Sequence, residues 1–144
     1  MGFKNLVNFL KFVCTCLYFG MMFYLVFFIR RRQNGYSFEV NLVPVINSIR
    51  ELKYLPEIGV FNYLSNIFGN ILLFFPLPVV LKTYFKNWKF SRVFLVSLCL
   101  SIFIETMQYI FRVGVADIDD VILNTIGSCL GYLFISRLGK TMKS

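Results

Sequence analysis

Four long apolar blocks decide what this chain can fold into. They run from about Phe12 to Ile29, Tyr63 to Tyr84, Val93 to Phe111 and Ile118 to Leu138. A stretch of roughly 18 or more apolar residues with few charges can cross the hydrocarbon core as a helix, which satisfies its own backbone polar groups. Of the 144 residues 58% are apolar and only 15% charged, outside the usual soluble range. The expected fold is an all-α integral membrane protein, one domain holding a bundle of four transmembrane helices with a long first connecting loop.

The first block follows Lys4 and Lys11, as a signal peptide would, but it is long, lacks a small-x-small cleavage site and ends in Arg30, Arg31 and Arg32. It reads as a retained anchor. All four cysteines, Cys14, Cys16, Cys99 and Cys129, lie inside apolar blocks and read as buried thiols. There is no histidine and no CxxC pair, which disfavours a Cys/His metal site. No Gly-rich phosphate loop is present, and no cofactor is expected. The net charge of +8 sits in short clusters flanking apolar spans, so anionic lipid headgroups explain it and nucleic acid does not.

Charge also predicts orientation. One set of ends carries Lys4, Lys11, Lys82, Lys86, Lys89, Arg92, Arg137, Lys140 and Lys143 with no acid. The other carries six bases, Arg30 to Arg32, Arg50, Lys53 and Arg112, together with six acids. The side richer in Lys and Arg is normally cytoplasmic, which places both termini inside. Within the first connection Pro44 and Pro56 break any long helix, leaving room for a short interfacial one from about Val45 to Tyr54. A lid and a solvated loop are both open readings of that segment.

Polar side chains are costly in lipid, so their spacing is informative. In the third span Ser97, Ser101, Glu105, Gln108 and Arg112 follow at intervals of three or four and share one helical face. The fourth carries Asp117, Asp120, Asn124, Gly127 or Ser128, and Gly131; the second carries Asn62, Asn66, and Gly69 or Asn70. Because successive spans run antiparallel, these stripes begin on the same side of the membrane. Arg112, Asp117 and Asp120 are expected at a rim, with Glu105, Asn70 and Asn124 about 10 to 12 Å below it at 1.5 Å per residue. Asn66, Asn70, Glu105, Gln108, Arg112, Asp117, Asp120 and Asn124 form the candidate ligand-binding set.

Each has a structural reading beside the functional one. Asp117 can cap the fourth helix, and Asp120 can sit against its positive dipole end. Gly127 and Gly131 suit close helix approach, and the asparagines suit interhelical hydrogen bonding. Ser97 and Ser101 can bond their own backbone and read as filler. Glu105 is harder to dismiss, because a carboxylate two turns inside a span must be protonated, paired or watered. Asp119 is the acid of least expected importance.

From Asn41 onward the chain resembles the VanZ-like membrane proteins. The motifs are "NLVP" (Asn41 to Pro44), "NILLFFP" (Asn70 to Pro76), "SIFIETMQ" (Ser101 to Gln108) and "DIDDVILNTIG" (Asp117 to Gly127). They correspond to the family's Asn-Leu-x-Pro, Asn-x-x-x-Phe-x-Pro, Ser-x-x-x-Glu-x-x-Gln and Asp-x-x-Asp-x-x-x-Asn-x-x-Gly patterns, in order. Pro78 departs from the family, which usually has glycine there.

The resemblance implies a role at the bacterial cell envelope, in the cell membrane, and lowered susceptibility to lipid-bearing glycopeptides such as teicoplanin. Three functions follow as expectations. In one, a non-enzymatic protein binds an envelope lipid, a lipid-linked cell-wall precursor or the lipoglycopeptide itself in an outward-facing polar pocket. In another, a membrane enzyme acts on a lipid-linked cell-wall intermediate, with Glu105 as acid or base, Arg112 on a phosphate, and Asp117 and Asp120 as weak candidate cation ligands. In the third, the stripes only lock the helices of a structural or assembly partner. Non-enzymatic binding is the favoured expectation.

Overall fold

The computed structural model describes residues 2–29, 40–44, 49, 53–54, 59–113 and 116–141. Among the described residues the regular structure is helical apart from one two-residue strand pair. Helix α1 (Phe3–Tyr24) continues into a π-helical turn at Leu25–Ile29, and β1 (Val40–Asn41) follows. Then come α2 (Val60–Phe74), α3 (Leu77–Tyr84), α4 (Phe90–Ile110), β2 (Ala116–Asp117) and α5 (Ile118–Thr141). The expected interfacial helix near Val45 to Tyr54 falls almost wholly outside the described residues, as do Arg30, Arg31 and Arg32.

Among the described residues four segments are long and apolar enough to cross a membrane: Phe3–Phe28, Tyr63–Tyr84, Phe90–Ile110 and Ile118–Leu138. They coincide with the four expected spans, the first beginning earlier than its apolar core. The second span is broken where the prolines predict. Pro76 and Pro78 cannot donate backbone hydrogen bonds, so α2 stops at Phe74 and α3 restarts at Leu77, with Pro78 in its first turn where the missing N–H costs nothing. Across the break the Tyr18 hydroxyl of α1 donates to the Leu73 carbonyl at 2.9 Å.

Helix α5 is central, packed along α2 and α4. Gly127 and Gly131 make the α2 contact possible: a Cβ on Gly127 would collide with the Ile71 carbonyl, and one on Gly131 with that of Phe75. This is the small-xxx-small packing expected of them. Tyr18, Met22 and Val26 of the first helix pack against Phe74, Leu77 and Ile104 to form the apolar core.

The interior also holds many polar side chains. Asn70, Ser97, Ser101, Glu105, Gln108, Asn124 and Ser128 are each at most 4% exposed, whereas Phe3, Leu17, Phe61, Leu72 and Phe111 lie well exposed on helix surfaces. A water-soluble domain would reverse this arrangement, and it suits a bundle whose outer solvent is lipid. The cysteines correct one expectation: Cys14, Cys16 and Cys99 are exposed on helix surfaces and only Cys129 is half-buried. In a lipid solvent a thiol needs no protein cover, so an apolar block alone does not place it in the core.

Candidate functional site

The site is built where α4 ends and α5 begins. Helix α4 closes with two bonds that wrap its last turn: the Arg112 N–H donates to the Tyr109 carbonyl at 3.1 Å, and the Val113 N–H to that of Gln108 at 3.0 Å. This closure requires a left-handed residue after the cap, usually glycine, and here Arg112 occupies it at φ 55°. Left-handed backbone costs a residue with a Cβ about 1 kcal/mol or more. Arg112 itself is exposed at the rim, as expected.

The chain then turns back, and β2 pairs in parallel with β1, Val40 opposite Ala116 and Asn41 opposite Asp117. Asp117 is the N-cap of α5: its Oδ1 accepts the Asp119 N–H at 3.0 Å. The same oxygen accepts from Asn41 Nδ2 at 2.9 Å. Within the first connection, the Asn41 to Pro44 motif therefore begins at the cap of α5, and the lid and loop readings otherwise fall on residues outside those described. Sequence reasoning left Asn41 out of the candidate set, although its place in a family motif was a usable signal.

Beneath lies a chain of side-chain contacts between helices. Glu105 is 4% exposed, and its Oε2 accepts the Asp117 N–H at 3.2 Å. Asn70 Nδ2 donates to Asp120 Oδ1 in a short contact that ties α2 to α5. Asn124 Nδ2 donates to Ser101 Oγ at 2.9 Å, tying α5 to α4. One layer deeper, Ser97 Oγ lies 2.6 Å from Ser128 Oγ and also donates to the Val93 carbonyl. Ser97 makes the expected bond to its own backbone and also meets Ser128 of α5, while Ser101 accepts from Asn124 across the helix interface.

Gln108 faces the first helix. Its Nε2 donates to the Val26 carbonyl at 3.2 Å, inside the π-helical turn. A π turn breaks the regular ladder and makes a carbonyl available to another helix. That partner fixes which amide atom is nitrogen, so Oε1 is the remaining acceptor; it is buried without a hydrogen bond among the described residues, as is Asn124 Oδ1.

The geometry changes the expected depth order. Spacing along α4 predicts Glu105 about two turns below the rim, yet its carboxylate touches the Asp117 amide. Asp120 is 8% exposed and reaches Asn70. Helix arithmetic along α4 measures backbone rise only, and the reach of the Glu105 side chain closes the gap to the Asp117 amide. Asn66 does not join the cluster; it is exposed on α2, while Asn70 one turn on is buried. Asp119, expected to matter least, is 7% exposed and sits within the cap. Among the described residues no group of three His, Cys, Asp or Glu side chains is arranged to hold a metal ion.

The arrangement is three sets of polar contacts between elements: Asn41 and Glu105 on Asp117, Asn70 on Asp120, and Asn124 on Ser101, with Glu105, Asn70, Asp120, Ser101 and Asn124 buried. The VanZ/LLP1 family model matches residues 12–139. Protein VanZ of Enterococcus faecium is 34% identical over 108 residues, covering 74% of this chain. The match spans 66% of that relative, just under two thirds of its length. No solved structure matches.

Proposed function

This chain belongs to the VanZ/LLP1 family, and on that premise we propose that it is a cell-envelope protein that lowers susceptibility to lipid-bearing glycopeptides such as teicoplanin. It acts through an outward-facing intramembrane polar site centred on Glu105, Asp117 and Asp120. The observation that carries this reading is convergence. Side chains of all four motifs, scattered between Asn41 and Gly127, pair with the Asp117 to Gly127 motif: Asn41 and Glu105 both meet Asp117, Asn70 meets Asp120, and Ser101 meets Asn124.

Packing alone does not require a glutamate here. Two buried amides or hydroxyls would join the helices at lower desolvation cost, and an ionisable side chain inside a span is by default functional. Binding is favoured over catalysis because the sequence carries no nucleophile arrangement and no Gly-rich phosphate cradle. An enzyme acting on a lipid-linked cell-wall intermediate, with Glu105 as its acid or base, is the second reading, favoured by the burial of that carboxylate beside Asp117. The third, a structural or assembly partner, makes the charge of Glu105 dispensable.

The test is expression of the wild type and Glu105→Gln in a susceptible host, scoring teicoplanin and vancomycin susceptibility with membrane levels checked by immunoblot. Selective loss of teicoplanin protection in the variant supports the reading. Undiminished protection removes the role of the charge and leaves the structural reading.

A further inference from the structure

Gln108 and Asn124 each carry into the bundle one polar atom that no group among the described residues meets. The Gln108 side chain is 1% exposed, and its Nε2 is committed to the Val26 carbonyl, which can only accept, so the atom left over is the oxygen Oε1. Asn124 is also 1% exposed and makes one side-chain bond, to Ser101 Oγ. A hydroxyl can donate or accept, so either end of the amide can face Ser101, and in both cases the other end is unmet among the described residues.

These two side chains bracket the intramembrane acid. Gln108 stands one turn from Glu105 toward the rim on α4, and Asn124 meets Ser101 one turn from Glu105 in the opposite direction. Ser101 and Gln108 are separated by about 10 Å of helix rise, too far for one water to touch both amides.

A polar atom buried inside a membrane span is costly unless something bonds to it, and lipid tails cannot. Both side chains lie too deep for a headgroup to reach, whereas a water settles where two or more polar groups are within its reach. Gln108 Oε1 has the Glu105 carboxylate one turn back on the same face; the Asn124 amide has the Ser101 hydroxyl and, one turn back on α5, the Asp120 carboxylate. A carboxylate accepts up to about four hydrogen bonds, so Glu105 and Asp120 can take a water in addition to their protein partners.

We propose that two internal waters bind within the membrane span, one at Gln108 Oε1 and one at the unmet end of the Asn124 amide, on either side of Glu105. The polar stripe is then a hydrated interior rather than a dry packing seam, whatever ligand the rim takes.

The test is water-edited solid-state NMR on the full chain in phosphatidylcholine bilayers with deuterated acyl chains, a lipid whose headgroup has no N–H or O–H donor. Magnetisation that starts on water protons is followed onto labelled side chains. Gln33 and Gln108 are the two glutamines, so Gln33→Asn leaves Gln108 as the single glutamine signal, and the peak lost in Asn124→Ser assigns Asn124. Asn87, exposed in the α3–α4 turn, is the wet reference, and the fully buried Phe74 ring is the dry one. Thr125 controls for relay through hydroxyl protons, being buried with its hydroxyl donated to the Val121 carbonyl. Gln108 Cδ and Asn124 Cγ are expected to gain signal with the early slope of Asn87, ahead of Thr125 and Phe74. A slope at either residue no faster than that of Thr125 or Phe74 would overturn the proposal. Early transfer that appears only after phosphatidylglycerol is added would overturn it too, because the donor is then a headgroup hydroxyl. No drug enters the measurement, so its outcome is separable from that of the susceptibility test.

Discussion

Asn41 donates to the Asp117 carboxylate across 2.9 Å, joining residues 76 positions apart in the chain. The oxygen it meets also caps α5, and the backbone amide of Asp117 is held by Glu105. A segment from the first connection, the cap of the last helix and the intramembrane acid of α4 therefore form one mechanical unit.

That unit predicts a cross-link. Val40 and Ala116 are paired in parallel strands, so cysteines placed at both positions of an otherwise cysteine-free chain fall within disulfide reach. Mild oxidation of membranes is expected to give a high-yield intramolecular disulfide, and Asn41→Ala in the same background a lower one. No cross-link in the parent would show that the strand pair does not form in the membrane.

Helix contact predicts intolerance of the smallest possible addition. Gly127→Ala places a methyl group on the Ile71 carbonyl, and Gly131→Ala places one on that of Phe75. Each is expected to destabilise the bundle by about 1–3 kcal/mol, as overpacking does. Thermal unfolding in detergent measures it, with Gly69→Ala as control because nothing lies within 4 Å of that site.

The bond between Asn124 and Ser101 predicts coupling. Ser101→Ala leaves the Asn124 Nδ2 without its partner, and Asn124→Leu removes the donor. Interhelical hydrogen bonds in membranes average roughly 0.6 kcal/mol with a maximum near 1.7, so the double mutant should be less destabilised than the sum of the singles by that amount. Strict additivity in a double-mutant cycle would contradict the contact.

Orientation is testable in cells. With both termini cytoplasmic, a lone cysteine at Leu42, which is 74% exposed beside the rim, reacts with a membrane-impermeant maleimide from outside. One at Asn87, exposed in the α3–α4 turn, does not. The reverse pattern inverts the protein. Asp119 makes a poor reporter because it is buried in the cap.

Much of this was legible from spacing. Three- and four-residue intervals brought Glu105, Asn124 and Asn70 onto facing stripes, and Pro76 with Pro78 marked the break between α2 and α3, because both inferences rest on local helix geometry. What spacing could not give was nonlocal or conformational. Asn41 reaches Asp117 through a strand pair of only two residues, too short for any periodic pattern. The π turn that brings Val26 to Gln108 has no distinctive composition, since Leu25 to Ile29 are as apolar as their neighbours. Helix arithmetic along α4 placed Glu105 by backbone rise alone, and it takes no account of a carboxylate that reaches the Asp117 amide. Asn66 shares the α2 stripe with Asn70 yet faces outward, since a stripe wider than the contact leaves its edge uncovered.

The central claim is that the acid buried under this rim does something beyond holding helices together. Its most direct test is the teicoplanin susceptibility of cells carrying wild type, Glu105→Gln or Asp120→Asn, each at equal membrane abundance, with vancomycin in parallel. Both substitutions retain an oxygen that accepts the Asp117 amide or the Asn70 side chain, so folding is expected to survive. The account predicts reduced teicoplanin susceptibility with the wild type, little effect on vancomycin, and loss of the teicoplanin effect in both variants. Full protection by Glu105→Gln, or no protection by the wild type, would contradict it.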